Sequence, residues 1–272
     1  VRRARAQSAA VAHVDRIREQ FTRQAEVYAR MVQTTSQKGL DGLVALSGAG
    51  NTDRVLDVAC GPGFLTMTFA TRAAAATGCD ATDAFLALAR AEAERRGLTN
   101  VTFDQGDVEA LPYPDASFDV VVCRAAFHHF PRPERVLAEM ARVAKPAARL
   151  LIADMLGAED ATDADYHDRM ERLCDPTHVR ALPESAFRDL FASAGLVVRH
   201  AVQGTMPIRV DEWIEHGGPT PEVERELRAL AAAALDGDRG ALGMRREADG
   251  RLAFAHRTAA FLLARDAASA SR

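Results

Sequence analysis

Near its amino end the chain carries apolar residues at helical spacing. Val14, Ile17, Phe21, Ala25, Tyr28 and Val32 recur every three or four positions, which predicts an amphipathic helix. A second helix is expected over Lys38 to Leu46, stopped by the Ser-Gly-Ala-Gly at Ser47 to Gly50. From Val55 the rhythm changes to short apolar runs alternating with helix-length segments. Strands are predicted at Arg54 to Val58, Ala74 to Cys79, Val101 to Asp104, Phe118 to Cys123, Arg149 to Asp154 and Val197 to Val202. Helices are predicted at Phe64 to Thr71, Ala84 to Arg95, Glu134 to Val143 and Glu184 to Ala194. Such alternation argues for a mostly parallel sheet with helices on both faces, an α/β fold.

Two stretches break the alternation. Gly157 to Pro183 is acidic and rich in His and Asp, while Met206 to Gly250 reads as helical and holds the only tryptophan. Both are expected as cap insertions near the carboxyl ends of the late strands. Leu252 to Arg265 has β-like apolar density and would supply a seventh strand. The expected organisation is a helical lid over 1–50 and one domain over 51–272, with caps at about 157–183 and 206–250.

Composition narrows the class. A chain of 272 residues with 48% hydrophobic and 26% charged residues can bury a large core. The net charge of −4 gives no overall basic surface, so a nucleic-acid partner is disfavoured. No apolar run approaches the roughly 20 residues of a membrane span, and no secretory segment is apparent, so a cytoplasmic location is expected. The four cysteines form no Cys-x-x-Cys pair, which suggests neither a zinc ribbon nor a disulfide framework.

Candidate chemistry begins at "VLDVACGPGF", Val55 to Phe64. A strand ends in Asp57 and is followed by a turn in which Gly61 and Gly63 clear side chains from the backbone and Pro62 stiffens the loop. Ligands of open α/β sheets bind at such strand ends, and the N–H groups opening the next helix suit an anionic group such as a carboxylate. Leu65 and Thr66 stand where a dinucleotide fingerprint needs its third glycine, which disfavours NAD. Asp80 closes the second strand and could accept from both hydroxyls of a ribose; Asp107, after the third, could accept from an adenine amine. Single acids after strands are common turn formers, but three at successive strand ends beside a glycine turn point to a nucleoside.

Those segments, together with "GCDATDAFLALAR", "DVEALPYPDASFDVVVCRAAFHHF" and "VLAEMARVAKPAARLLIAD", resemble the ordered motifs of class I S-adenosylmethionine-dependent methyltransferases, of the branch that includes the ubiquinone and menaquinone C-methyltransferases. The resemblance runs from about Arg54 to Asp154 and implies a Rossmann-like seven-stranded sheet. It implies that Asp57 and the loop Ala59, Cys60, Gly61 and Gly63 hold the methionine part of S-adenosylmethionine. By the same resemblance Asp80 and Ala81 take the ribose, Asp107 and Val108 the adenine, Cys123 and Arg124 border the sulfonium, and Tyr28 closes over the cofactor. S-adenosylhomocysteine would be the product. Two departures stand out: Ala59 replaces the family's usual first glycine, and "KPAAR" at Lys145 to Arg149 replaces a Lys-Pro-Gly-Gly turn.

Methyl transfer from a sulfonium is an in-line displacement, so its rate comes mostly from positioning. A base is useful where the acceptor must lose a proton, and His128, His129, Asp154 and His178 are the candidates. No histidine pair shows HExxH-like ligand spacing, so no metal is expected. The expected partner is a small-molecule acceptor, an oxygen, nitrogen or activated carbon of a quinone-like or secondary metabolite, with the chain a monomer or homodimer. Open alternatives are a cyclase that keeps the cofactor as a structural cation, and a non-catalytic cofactor-binding module.

Overall fold

In the computed structural model, residues 15–22, 37–237 and 239–266 are described. Helical residues 15–22 (α1) and α2 (Gln37–Ser47) precede an alternating run: β1 (Arg54–Val58), α3 (Phe64–Ala70), β2 (Ala75–Asp80), α4 (Asp83–Arg95), β3 (Val101–Gln105), β4 (Phe118–Arg124), α5 (Pro133–Val143) and β5 (Ala144–Leu156). Then come α6 (Ala161–Cys174), α7 (Glu184–Ser193), β6 (Leu196–Arg209), α8 (Val210–Gly217), α9 (Pro221–Ala233), a two-residue β7 (Arg245–Arg246) and β8 (Leu252–Arg265).

The sheet order is β3-β2-β1-β4-β5-β8-β6, with β7 added beside β8. The strands from β3 to β5 pair in parallel, and β8 runs antiparallel between β5 and β6. The sheet thus has the seven expected strands plus the short β7. β1 and β4 are its centre: Leu56, Val58, Val120, Val121 and Val122 are fully buried, as expected for strands covered on both faces.

Three boundaries differ from the sequence reading. β5 and β6 are longer than their apolar runs, because β8 pairs with β5 as far as Leu156 and with β6 as far as Arg209. Met206 to Arg209, expected as helix, is therefore strand. The second cap is also only partly helical, since after α9 it carries a 3-10 turn and β7. Residues 37–47, expected within a lid, lie against the sheet instead: Leu40 and Val44 of α2 share a buried cluster with Val55, Phe69, Val122 and Leu151.

Since β8 is antiparallel to both β5 and β6, those two strands run the same way, and the caps that follow them leave from one edge. This is the carboxyl edge of the parallel strands. α6, α8, α9 and the start of β8 enclose their own apolar core there, built on Met170, Cys174, Trp213, Ile214, Leu227 and Phe254.

Candidate active site

Chain order turns back between β1 and β4: β1 to β3 build outward on one side, β4 and β5 on the other. The crevice at that switch point is where open α/β sheets bind ligands. Asp57 lies at its floor, 2% exposed, and accepts from Thr66 Oγ1 at 2.6 Å. Burial raises its carboxyl to about 7, against the Thr66 bond and the positive Arg124 at the end of β4.

The loop after β1 is folded tightly. Ala59, Gly61 and Gly63 have φ of 56°, 52° and 77°, so the position where the family resemblance expects glycine is held left-handed by an alanine. Cys60 N–H donates to Cys79 O and Gly63 N–H to Cys60 O. Gly78 of β2 makes this approach possible, since a Cβ there would stand 2.7 Å from Cys60 Sγ and 2.8 Å from Phe103. Asp80 joins the loop to the next strand: Oδ2 accepts from Gly61 N–H at 2.9 Å and Oδ1 from Thr82 N–H at 2.8 Å. A carboxylate has about four acceptor directions, which leaves room for two hydroxyls. Burial raises Asp80 above the ordinary aspartate value despite these bonds. Asp107 is exposed and spends one oxygen on Glu109 N–H, while Val108 packs at the margin of the core.

α1 reaches this region. Arg18 Nε donates to Ala81 O at 3.1 Å, and the Phe21 ring meets Phe85 and His129, each at 5.4 Å. Tyr28 lies outside the described residues. Cys123 is completely buried in the main core, where burial pushes its thiol well up and the carboxylates of Asp154, Asp57 and Asp80 push the same way.

The candidate bases gather beyond β4 and β5. Asp154 is 5% exposed and fully engaged: Oδ2 accepts from the N–H groups of Ala126 and Phe127 at 3.0 and 2.7 Å, Oδ1 from His128 Nδ1 at 2.6 Å and Met155 N–H at 2.7 Å. The position expected for a base is thus filled by a clamp on the turn after β4. Burial alone would lower His128, but the Asp154 carboxylate carries it above its ordinary value. Burial, with the His128 charge, pushes His129 down to about 3. His178 Nε2 meets Asp168 Oδ1 at 2.8 Å, and its ring lies 5.6 Å from His128. The backbone carbonyl of His128 accepts from Val179 and Arg180, which fixes the His178 loop over the β4 turn.

Sequence reasoning missed the roles of Thr66 and Asp168, and it weighed His167 as a metal ligand only beside His128, His129 and His178, not with Glu171 and His256, its buried neighbours. The i, i+4 spacing of His167 and Glu171 was visible; the approach of His256 from β8 was not.

A parallel sheet reversing at β1 and β4, with a tight glycine loop and acids at three strand ends, defines a Rossmann-like enzyme for a nucleoside-bearing cofactor. The sequence profile of the methyltransferase domain matches residues 50–213, and the chain belongs to that family. YcgJ of Bacillus subtilis, an uncharacterized methyltransferase, is 32% identical over 207 residues, which is 76% of this chain and 82% of YcgJ. Its crystal structure superposes with a TM-score of 0.78 at 30% identity, covering 84% of this chain and 98% of that one. The demethylmenaquinone methyltransferase of Thermus thermophilus is 41% identical over 103 residues, 37% of this chain and 46% of its own. The [4+2]-cyclase SpnF, at 21% identity and a TM-score of 0.59 over 86% of this chain and 82% of its own, shares the fold alone.

The protein is an S-adenosylmethionine-dependent methyltransferase. The residues present fit that cofactor: a buried carboxylate raised to about 7 at Asp57 would be relieved by an ammonium, and Asp80 keeps free acceptor capacity for a diol. No helix among the described residues is long and apolar enough to cross a membrane.

Proposed function

We propose that this methyltransferase acts on a small molecule enclosed beneath the α6 to α9 cap, at an oxygen, nitrogen or activated carbon of a quinone-like or secondary metabolite. The observation that carries this is the cap: both insertions leave from the carboxyl edge and close on an apolar core of their own. A lid with its own core excludes water from a site and suits an apolar acceptor. The curated relatives that include a demethylmenaquinone methyltransferase agree with it.

Within this reading Asp57 and the Ala59 to Gly63 loop hold the amino-acid end of the cofactor, Asp80 with Ala81 the ribose, and Asp107 with Val108 the adenine. Bound S-adenosylmethionine supplies an electrophilic methyl on a sulfonium. The chain supplies alignment, water exclusion and, for an acceptor with a proton to lose, His178. Asp168 accepts from His178 Nε2, and that bond leaves the lone pair on Nδ1. Asp154 positions the turn that borders the acceptor and holds His128 to it.

Incubation with isotopically labelled S-adenosylmethionine and a panel of quinols, phenols and fatty acids tests the assignment. A product one methylene heavier that carries the label is expected. Tight S-adenosylhomocysteine binding with no transfer to any of the panel, or a rearranged product of unchanged mass, would overturn it.

A further inference from the structure

His167 and Glu171 stand one helical turn apart on α6, and His256 faces them from β8; the three are 2%, 6% and 3% exposed. Each offers a donor atom, and the three atoms lie within 4.8 Å of one another. The surroundings are apolar, with Met170 and Cys174 on α6, Trp213 on α8 and Phe254 on β8, and the Phe254 ring edge-on to His256 at 5.1 Å.

Hydrogen bonding accounts for only half of this arrangement. His256 Nε2 lies 2.8 Å from Glu171 Oε1, a good bond. His167 Nε2 lies 3.5 Å from the same oxygen, does not meet hydrogen-bond geometry, and has no other partner although it is buried. A buried polar atom left this way costs roughly 1 to 3 kcal/mol. The distance does match a different relation. Donors at ~2.0–2.2 Å from one tetrahedral ion stand roughly 3.3–3.6 Å apart, and 3.5 Å falls within that range. Closing the set needs the His256 contact to open by less than 1 Å and the two imidazole nitrogens, within 4.8 Å of each other, to settle to the same spacing, both on the order of ordinary side-chain adjustment.

We infer that His167, Glu171 and His256 form a binding site for one divalent transition-metal ion, of the zinc class, at the seam between the cap and the sheet. Two imidazoles and a carboxylate suit zinc and its neighbours better than magnesium or calcium, which prefer oxygen donors. Three protein donors leave a position for water or for an oxygen of a ligand. Because α6 belongs to the cap and β8 to the sheet, the ion would tie one to the other.

The test uses the full chain, stripped with a chelator, then dialysed against Zn2+ and, separately, titrated with Co2+. One zinc per chain should be retained, with a rise in thermal midpoint that the chelator reverses. The Co2+ form should show visible bands of a nitrogen- and oxygen-ligated ion without thiolate charge transfer. Glu171→Gln and His256→Gln should weaken retention by more than the roughly 10- to 100-fold that loss of an outer partner costs, while S-adenosylhomocysteine still raises their midpoint. No retained metal in the wild type overturns the site, as does equal retention in both variants. A thiolate band overturns it too, since it would place the ion on Cys174 or another cysteine; this reading needs no variant to fold. Metal content is read without reference to the acceptor, so its failure and that of the proposed transfer are separate results.

Discussion

Replacing Asp154 with Asn tests whether the acid at the end of β5 is a clamp or a base. The carboxylate accepts four bonds from groups that have no water to turn to. Asn keeps one acceptor oxygen and puts two donors in place of the other. The least costly arrangement turns the amide nitrogen toward Oδ1's partners, where His128 can change tautomer and accept, but Met155 N–H is orphaned. That orphan costs roughly 1 to 3 kcal/mol, and each surviving bond falls from the charged to the neutral class, a loss of about 1 kcal/mol apiece. The sum is roughly 4 to 6 kcal/mol. At about 2 to 4 °C per kcal/mol for a large domain, the midpoint should fall by roughly 8 to 24 °C.

The same substitution removes a pH signature. Asp154 sits below the ordinary aspartate value because the His128 charge and hydrogen bonds outweigh burial, so its contribution is present above about pH 4 and lost as the pH falls through the folded value. His128 sits above the ordinary histidine value, so its contribution is full below about pH 6.5 and lost as the pH rises through the folded value. Denaturant titrations at closely spaced pH should show both flanks in the wild type and neither in Asp154→Asn. If the variant instead melts within about 2 °C of the wild type yet loses transfer to every acceptor that can be deprotonated, the clamp argument fails and Asp154 is the base.

Other changes probe the cofactor side. Asp57, raised to about 7, binds its proton more tightly folded than unfolded, so stability should fall as the pH rises from about 4 to about 7. S-adenosylhomocysteine should bind more tightly over the last part of that rise, and calorimetry with Asp57→Asn should show a flat profile; a wild-type profile that is already flat removes the ammonium from Asp57. Asp80→Ala should weaken that ligand by roughly 2 to 4 kcal/mol, the scale of lost charge-assisted bonds, and an unchanged dissociation constant would take Asp80 out of the ribose site. Ala59→Gly relieves a left-handed alanine worth ~1–2 kcal/mol but loosens the unfolded chain by ~0.4–1 kcal/mol, so denaturation should show a net change between zero and a gain of about 1.6 kcal/mol. Gly63→Ala should do the reverse: its Cβ would meet Phe103 at 2.5 Å with φ at 77°, a loss of roughly 2 to 5 kcal/mol from strain and overpacking together. A midpoint unchanged in Gly63→Ala, or lowered in Ala59→Gly, would show that the loop is not held in these conformations.

How far the sequence foretold this molecule depended on the range of the forces involved. β1 coincides with its apolar run, Arg54 to Val58, because a central strand is bounded where burial ends, and burial is written in the residues themselves. β6 does not: its burial fades after Leu196, and its last residues are strand only because β8 supplies hydrogen-bond partners as far as Arg209. That information sits about 50 residues further on and carries no local mark. The turn at "KPAAR" was likewise legible as irregular, and the register between β4 and β5 does jump there, from Ala144 to Arg149. Arg149 then bonds to Gly48 O and Asp53 at the start of β1, which places the departure at the edge opposite the cofactor crevice.

The site divides in the same way. Asp57, Asp80 and the glycine loop were legible because a strand-end acid and a missing Cβ are local facts with one geometric consequence each. Asp154 was legible as a position but not as a role, since an acid at a strand end can serve a proton or serve backbone donors. Its four donors come from Ala126, Phe127, His128 and Met155, and only the last is a sequence neighbour. The consequence runs on to the chemistry. The Asp154 carboxylate carries His128 above its ordinary value, and burial together with His128 pushes His129 down to about 3. Of the histidines around the β4 turn, His178 is the one whose carboxylate partner, Asp168, sits on α6 of the cap. On the role proposed for His178, displacing α6 would separate Asp168 from it and remove the base together with the lid.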